Sequence, residues 1–523
     1  MHIKKIIVHN FKSIEHQELT CGCYNVLVGE NNSGKSNLIS ALRFFYGEYK
    51  LAQEDVYQKI KDDAIYVEIE YKLSDGDMQF FSEKGSKYIL EGNRLVVRTE
   101  SKVSDGDVSS PIRRGRLKDT NSLDEDNKFF GFSGVSKVLL GEIIYIPPIK
   151  ELKDELKTTS QSATIMKLLK KISHPKIKKD SLLSNINQNV DALNKSDIFD
   201  ELNGNLSDLM KGYGCNIKIE INQLSVESII SSASLHIIEE NFDKMPPENK
   251  GTGLQRALLI CLIKYWAEVS KDVEKIKNEP PTILLFEEPE IFQHPQKQAM
   301  LFGELKEIST NSTPVFLTTH SSHFVSEEDD DLSFVTRVYK ESCATKFKQV
   351  SVATIAKSNS ANRFKFWKYL DSEKNKIFFA QKVLLCEGNT EKLLCNYLIK
   401  TEILKDNLSK QSEYTVIDCN GKFNLPHFMR ICNDLNIEYL IFYDLDSNNG
   451  NRSVHQLVNQ EITDEKTGLC KQAIESSDDL DVRLFKKPTP NCDKNLILDR
   501  IINNEHDVRE LDEIKNYVRE FVN

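Results

Sequence analysis

The sequence predicts an α/β protein built from two successive parallel-sheet units, the first split by a helical insertion. Three observations carry this. Residues 24–28 form an apolar run that leads into GENNSGKS (Gly29–Ser36), and Leu38, Ile39, Leu42 and Phe45 then follow at helical spacing, a strand–loop–helix unit. Ile283–Phe286 is uninterruptedly apolar, as expected of a strand covered on both faces in a parallel sheet. Between 383 and 446 apolar runs alternate with helical stretches as strand, helix, strand, helix, strand, the pattern of a second parallel sheet. A length of 523 residues exceeds what one hydrophobic core organises, so two or three domains are expected.

The remaining elements follow in order. Residues 2–10 alternate apolar and polar, and the same period of two returns at 65–73 and 89–97. The Ser-, Asp- and Gly-rich stretch 101–128 reads as loop. Ile143–Ile146 is a strand stopped by Pro147 and Pro148, and 150–210, rich in Lys and Leu with few strand formers, reads as an inserted helical module for dimerisation or partner contact. A helix runs from Leu254 to about Val269, Pro314–Leu317 is a strand, and a polar helical bridge follows. Residues 493–523 read as one or two charged amphipathic helices. The expected division is 1–149 and 211–353 for the first unit, 150–210 for the insertion, 354–379 for a linker helix and 380–523 for the second unit.

Hydrophobic residues at 39% and charged residues at 28% are ordinary for a globular protein. No apolar stretch is long enough to span a bilayer and the start has no signal-peptide core, so no membrane partner and a cytoplasmic location are expected. Eleven cysteines without metal-ligand spacing point to reduced thiols. A net charge of −10 excludes a uniformly basic nucleic-acid binder, and any phosphate affinity must come from local cations. Two stretches qualify on paper: Arg113, Arg114, Arg116 and Lys118, and the run Lys167, Lys170, Lys171, Lys176, Lys178, Lys179.

The first unit carries the residues of an ATP site. In GENNSGKS the backbone amides around Asn31, Asn32, Ser33 and Gly34 can wrap phosphates at a helix N-terminus, Lys35 reaches the β- and γ-phosphates, Ser36 ligates Mg²⁺, and Asn37 follows on the helix. ILLFEEPE puts carboxylates at a strand end, where Glu287 can hold the metal through water and Glu288 can polarise the attacking water. His320, ending LTTH, is placed to meet the γ-phosphate or that water. KGTGLQR is a second Gly-rich turn opening a helix, a second anion cradle that cannot easily reach the phosphate held by Lys35. This half resembles the ABC-type ATPases of the SMC and RecF group, whose opening strand NFKSI (Asn10–Ile14, with Lys12 a nucleotide contact) also matches. The resemblance implies an ABC-type head in which Gly251, Thr252 and Gly253, with Gln255, contact nucleotide held by another copy, hence a homodimer or higher oligomer.

The second unit carries carboxylates at successive strand ends: Glu387 and Glu391 around Gly388 in VLLCEGNTE, then Asp444 and Asp446 in FYDLDSN, ligands suited to Mg²⁺ or Mn²⁺. These residues, with IDCNGK between them, resemble the Toprim domain of topoisomerases and primases. Joined to an ABC-type head, the chain resembles the OLD (overcoming lysogenization defect) family of ATPase-nucleases over nearly its whole length. The resemblance implies ATP and Mg²⁺ or Mn²⁺ as cofactors and cleavage of DNA, with RNA as the alternative substrate, in antiviral defence. It further implies a late lysine at the cleavage site, Lys487 or its neighbour Lys486, an acidic residue at Asp479 or Asp481, and partners such as a helicase-like protein or a reverse transcriptase with its RNA. The alternative reading is a RecF-like ATP-driven DNA clamp without nuclease activity.

Overall fold

The computed structural model describes residues 1–57, 63–78, 81, 83–104, 107–129, 139–148, 156, 163–179, 182–210, 218–238, 244–272, 282–291, 293–310, 313–325, 329–360, 370–403, 414–445, 452–476, 501 and 506–522. The first unit begins with β1 (His2–Phe11), β2 (Ile14–Thr20), β3 (Tyr24–Val28) and α1 (Lys35–Phe45). It continues through β4 (Ala64–Lys72), β5 (Ile89–Leu90), β6 (Arg94–Ser104), β7 (Asp107–Val108), β8 (Ile112–Gly115) and β9 (Glu142–Ile146). Helices α2 (Thr164–Lys179), α3 (Leu182–Asn194), α4 (Asp197–Met210) and α5 (Thr252–Asp272) precede β10 (Thr282–Glu287), α6 (Pro295–Thr310), β11 (Val315–Thr318), β12 (Val335–Glu341) and β13 (Ala344–Gln349).

Two sheets organise this head. One is antiparallel along the path β2-β1-β4-β6-β5, with β7 and β8 also pairing β6. The other runs β13-β12-β3-β11-β10-β9, with β12, β3, β11, β10 and β9 mutually parallel. Strands β3, β10 and β11 are buried along their whole length, as their unbroken apolar runs require. Helix α1 fills the space between the sheets: Leu38, Ile39, Ala41, Leu42, Phe44 and Phe45 all lie in the core that also holds Ile6, Val67, Leu285 and Phe316.

Two expectations change here. The stretch 101–128 is not simply loop, because β6 extends to Ser104 and β8 returns along it. Its polar composition hid the strands because the outward face is a ladder of ion pairs, Arg114 to Glu100 at 2.9 Å and Glu68 to Arg98 at 2.8 Å and Arg116 at 3.0 Å. The second concerns α2, assigned from sequence to the inserted module. It packs on the head through Ile165, Met166 and Leu168, with Thr164 Oγ1 donating to the Tyr145 carbonyl at 2.6 Å.

The second unit has a four-stranded parallel sheet, β15-β14-β16-β17, from β14 (Lys382–Cys386), β15 (Tyr414–Asp418), β16 (Glu438–Asp444) and β17 (Cys470–Ser476). Helix α7 (Val352–Ser360) stands before it, residues 361–369 of the expected linker lie outside the described residues, and a 3₁₀ helix at Lys374–Phe379 leads in. Helices α8 (Asn389–Leu398), α9 (Leu425–Leu435), α10 (Arg452–Glu465) and α11 (Val508–Val522) complete it. The expected terminal amphipathic helix is α11, whose Ile514, Val518, Phe521 and Val522 bury against Leu384, Leu394 and Phe442.

Candidate active sites

The loop after β3 has the backbone that phosphate binding needs. Gly29 and Gly34 take φ values of 143° and 110°, and a Cβ at either would lie 2.0 Å from the Val338 carbonyl or 2.2 Å from Thr345 Oγ1, so only glycine fits. Asn31 and Asn32 are exposed, and Thr345 Oγ1 donates to the Ser33 carbonyl at 2.8 Å. Lys35, buried at the start of α1, donates to the carbonyls of Gly29 at 2.9 Å and Glu30 at 2.7 Å. Burial lowers its ammonium to about 8, against opposing pulls from Glu288, Glu290, Glu30 and Glu287. Asn37 Nδ2 donates to Ser13 Oγ at 2.6 Å, and Lys12, at φ 52°, lies over the Tyr49 ring at 4.8 Å and 3.8 Å from Asp55. Asn37 and Lys12 thus brace the loop's flank through side-chain partners of their own.

Ser36 and Glu287, 251 positions apart, meet: Ser36 Oγ donates to Glu287 Oε2 at 2.5 Å, while Tyr145 OH donates to Oε1 at 2.7 Å. A hydroxyl and a carboxylate at the mouth of a phosphate loop are oxygen donors that suit a hard divalent cation. Burial raises the Glu287 carboxyl, partly offset by the bonds from Ser36 and Tyr145. Glu288 adopts φ 48°, a left-handed conformation rare for a side-chain-bearing residue. Its amide is tied to the Thr318 carbonyl at 2.9 Å and its own carbonyl accepts from the Arg256 guanidinium. His320 lies nearby; burial first, then the Lys35 charge, lowers its imidazole, while Glu288 opposes. Its backbone amide donates to Glu290 Oε1 at 2.6 Å. Ser36 thus bonds Glu287, and the Lys35 and Glu288 charges both act on His320.

The second Gly-rich turn is a separate feature. Gly251 is exposed with open space where a Cβ would stand, and Thr252 starts α5 followed by Gly253. Gln255, read from sequence as a nucleotide contact, points inward: fully buried, its Nε2 donates to the carbonyls of Pro247, Glu248 and Lys250 at 3.1, 3.2 and 2.9 Å. It holds the turn's shape.

In the second unit, register places the acids. β14 pairs with β16 so that Cys386 lies opposite Phe442, bringing the residues that follow each strand to the same sheet edge. Glu387 Oε2 accepts the Asp444 amide at 3.0 Å, and the Gly421 amide donates to the Glu387 carbonyl at 2.6 Å. Glu391, buried at the first turn of α8, accepts the Gly388 amide at 2.9 Å, so its carboxylate reaches back to the helix start. Lys422 is 1% exposed, and its Nζ donates to the Asp444 carbonyl at 2.7 Å. Glu387 and Asp444 thus meet at one sheet edge, with Lys422 of the IDCNGK loop on the Asp444 carbonyl, and Glu391 stands in the first turn of α8, tied to Gly388. Asp446, Asp479, Asp481, Lys486 and Lys487 lie outside the described residues. Among the described residues no three His, Cys, Asp or Glu side chains gather closely enough to hold a metal ion.

Comparison with known proteins decides the family. Residues 1–105 and 121–325 match the model of the AAA ATPase domain, and residues 378–446 match the TOPRIM domain of overcoming lysogenization defect protein-like proteins. The chain belongs to the AAA ATPase domain family and carries an OLD-like Toprim domain. The Old nuclease of Escherichia phage P2 is 23% identical over 475 residues, 85% of this chain and 77% of that protein. Endonuclease GajA of Bacillus cereus (strain VD045) is 26% identical over 491 residues, 88% of this chain and 78% of that one. The OLD nuclease of Thermus scotoductus is 22% identical over 480 residues, 85% and 82% respectively. Among solved structures, an SMC head bound to the C-terminal winged-helix domain of ScpA aligns with a TM-score of 0.39 at 14% identity, over 68% of this chain and 99% of that one.

The ATPase head and the OLD-like Toprim domain are physically joined beside the phosphate loop. Arg337 on β12, buried, donates to the carbonyls of Leu435 and Asn436, both at 2.9 Å, and of Ala380 at 3.1 Å, capping the C-terminus of α9. Gln381 Nε2 donates to Glu30 in the phosphate loop itself. A cavity of about 440 Å³ lies between, lined by Glu30, Asn31 and Asn32 on one side and by Gln381, Asn436 and Glu438 on the other.

Among the described residues most cations of the two basic stretches are already engaged, while Lys118 is exposed. Arg113 is buried and donates to the Phe45 carbonyl, Arg114 and Arg116 are ion-paired on the sheet, Lys167 pairs with Glu48 at 2.6 Å, and Lys171 pairs with Glu142. The side chains of Lys176, Lys178 and Lys179 lie outside those described. The residues missed from sequence are Arg256, Tyr145, Glu290, Lys422 and Arg337. Arg256, Glu290 and Lys422 stood inside the motifs read, but nothing in the letters told which would turn inward.

Proposed function

We propose that this chain is an ATP-gated nuclease: the head hydrolyses ATP, and the OLD-like Toprim domain cuts DNA phosphodiesters in antiviral defence. The observation that carries the reading is the junction of Glu387 and Asp444, 57 positions apart, at one sheet edge beside buried Lys422. Magnesium or manganese, when bound, supplies charge neutralisation at the scissile phosphate and activates water there. Glu387, Glu391 and Asp444, with Asp446, are the residues that would hold it.

In the head, Lys35 and the amides of 30–36 bind the phosphates, Ser36 and Glu287 hold the accompanying cation, and Glu288 with His320 orients water toward the γ-phosphate. The exposed Gly251 turn, with Leu254 also exposed beside it, supports nucleotide-dependent closure of two heads, since an apolar side chain next to an open glycine turn gains by being covered. The reading is tested by incubating the protein with plasmid and linear DNA in Mg²⁺ or Mn²⁺, with and without ATP. Strand scission that disappears in Glu387→Ala supports it. DNA binding and ATP hydrolysis without scission under every condition would instead indicate a clamp of the RecF kind.

A further inference from the structure

Arg256 is an arginine in the wrong place for a surface contact. It follows Gln255 by one residue on α5, is fully buried, and spends one nitrogen on the carbonyl of Glu288. Its Nε and Nη2 have no hydrogen-bond partner among the described residues, and neither does the buried Oε2 of Glu290, two residues beyond Glu288. Burying a guanidinium with two unmet donors is costly, and a fold tolerates such a group where it has a task. Burial holds the guanidinium below its usual range while the charges of Glu290 and Glu288 act in the opposite direction, which puts both acids within its field.

The connections on either side give the task. Gln255 locks the turn 247–250 to the first turn of α5 through three carbonyls, so the Gly251–Gly253 turn moves with the helix. At its other contact, Arg256 holds the peptide of a residue whose φ of 48° is strained for a side-chain-bearing residue and persists only where neighbours maintain it. The Glu288 amide is fixed from β11 by Thr318, and its carbonyl accepts from the Ile291 amide at 3.2 Å and from Arg256, so Arg256 is the side-chain donor on that peptide.

We propose that Arg256 is a positioning residue that links the Gly251–Gly253 turn to the hydrolytic carboxylate Glu288 of the same chain, so that seating nucleotide against the turn sets the orientation of Glu288. The two unused donors of Arg256 and the unused Oε2 of Glu290 are the groups left to pair when α5 shifts. The inference rests on the reading of Glu288 as the carboxylate that orients water. It places Arg256 out of contact with nucleotide and acting through Glu288 alone.

The test is ATP hydrolysis by the full chain carrying R256M or R256K, alongside E288Q, with binding of a non-hydrolysable ATP analogue measured on each. We expect R256M to lower kcat by roughly 10–100-fold with KM and analogue affinity within about twofold of wild type, and R256K, which keeps a donor, to recover to within about tenfold. Unchanged kcat in R256M overturns the proposal. So does a raised KM at constant kcat, which would make Arg256 a binding residue, or an R256K as inactive as R256M with an equally lowered unfolding temperature, which would make it packing. If R256M does not fold, R256K decides: a three- to tenfold fall in kcat at wild-type KM supports the proposal, and wild-type kcat or raised KM defeats it. Full ATPase activity in E288Q would instead remove the underlying assignment of Glu288, an outcome separate from any result at Arg256.

Discussion

The acidic residues of the two sites are held by different donors. In the head, Glu287 accepts the side-chain hydroxyls of Ser36 and Tyr145, and Glu290 accepts the His320 amide. In the Toprim domain both Glu387 and Glu391 accept backbone amides, of Asp444 and Gly388, Lys422 holds the Asp444 carbonyl, and β14 and β16 set the spacing. In the head, Ser36 and Tyr145 thus occupy both oxygens of Glu287, and in the Toprim domain strand register brings Glu387 and Asp444 to one sheet edge. Side-chain substitutions in the head should alter neighbours as well as chemistry, whereas those in the Toprim domain should remove function locally.

The sharpest way to break this comparison is Glu387→Ala. DNA cleavage should fall by roughly 10³-fold or more, with ATP turnover unchanged within about twofold. A matching loss of ATPase activity would show that the Toprim acids are not local. Next in size is Lys35→Ala, for which ATP hydrolysis should drop by roughly 10²–10³-fold through lost phosphate contact. A measurable fall in nuclease activity under ATP but not in its absence would show that the contact between Glu30 and Gln381 transmits nucleotide state. Arg337→Ala leaves three backbone carbonyls at the domain junction without their donor, and thermal unfolding should show a destabilisation on the order of 1–3 kcal/mol.

A pH series sharpens the same contrast. Lys35 titrates at about 8 in the fold against 10.5 in the unfolded chain, so between those values the unfolded chain carries a proton that the native one lacks. Stability from this group therefore rises with pH across that window, while ATP affinity falls as pH climbs past about 8, because the neutral amine no longer pairs with phosphate. Calorimetry above pH 8 should record proton uptake on ATP binding, and Lys35→Arg should abolish that uptake. The smallest effect is expected at Arg114: replacing it by Ala should change DNA affinity by less than about twofold, because its guanidinium is already engaged by Glu100.

Much of the fold was legible because apolar runs speak plainly. Tyr24–Val28 and Lys35–Phe45 appear with the bounds read from spacing, and Ile283–Phe286 differs by one residue at each end. What stayed hidden obeys a different rule. The strand Ile112–Gly115 carries charges that pair across the sheet, and helix Thr164–Lys179 hides its apolar face among lysines that snorkel or pair at its edges. At the sites, residue type marked the carboxylates but not their partners. Arg256 and Lys422 look in sequence like surface cations, and only the packing of α5 and of the Gly421 turn buries them. Gln255 shows the reverse error, a polar residue in a nucleotide-type turn that serves the turn's own shape.

The six-stranded sheet has one more implication. Its first strand, β3, sits between β12 and β11, partners that follow it by roughly three hundred positions, yet every member of that sheet precedes residue 350. During translation the nucleotide-holding pocket can close only after most of the head has left the ribosome, but it can do so before any Toprim strand emerges. The order of synthesis delivers the nucleotide pocket ahead of the Toprim sheet.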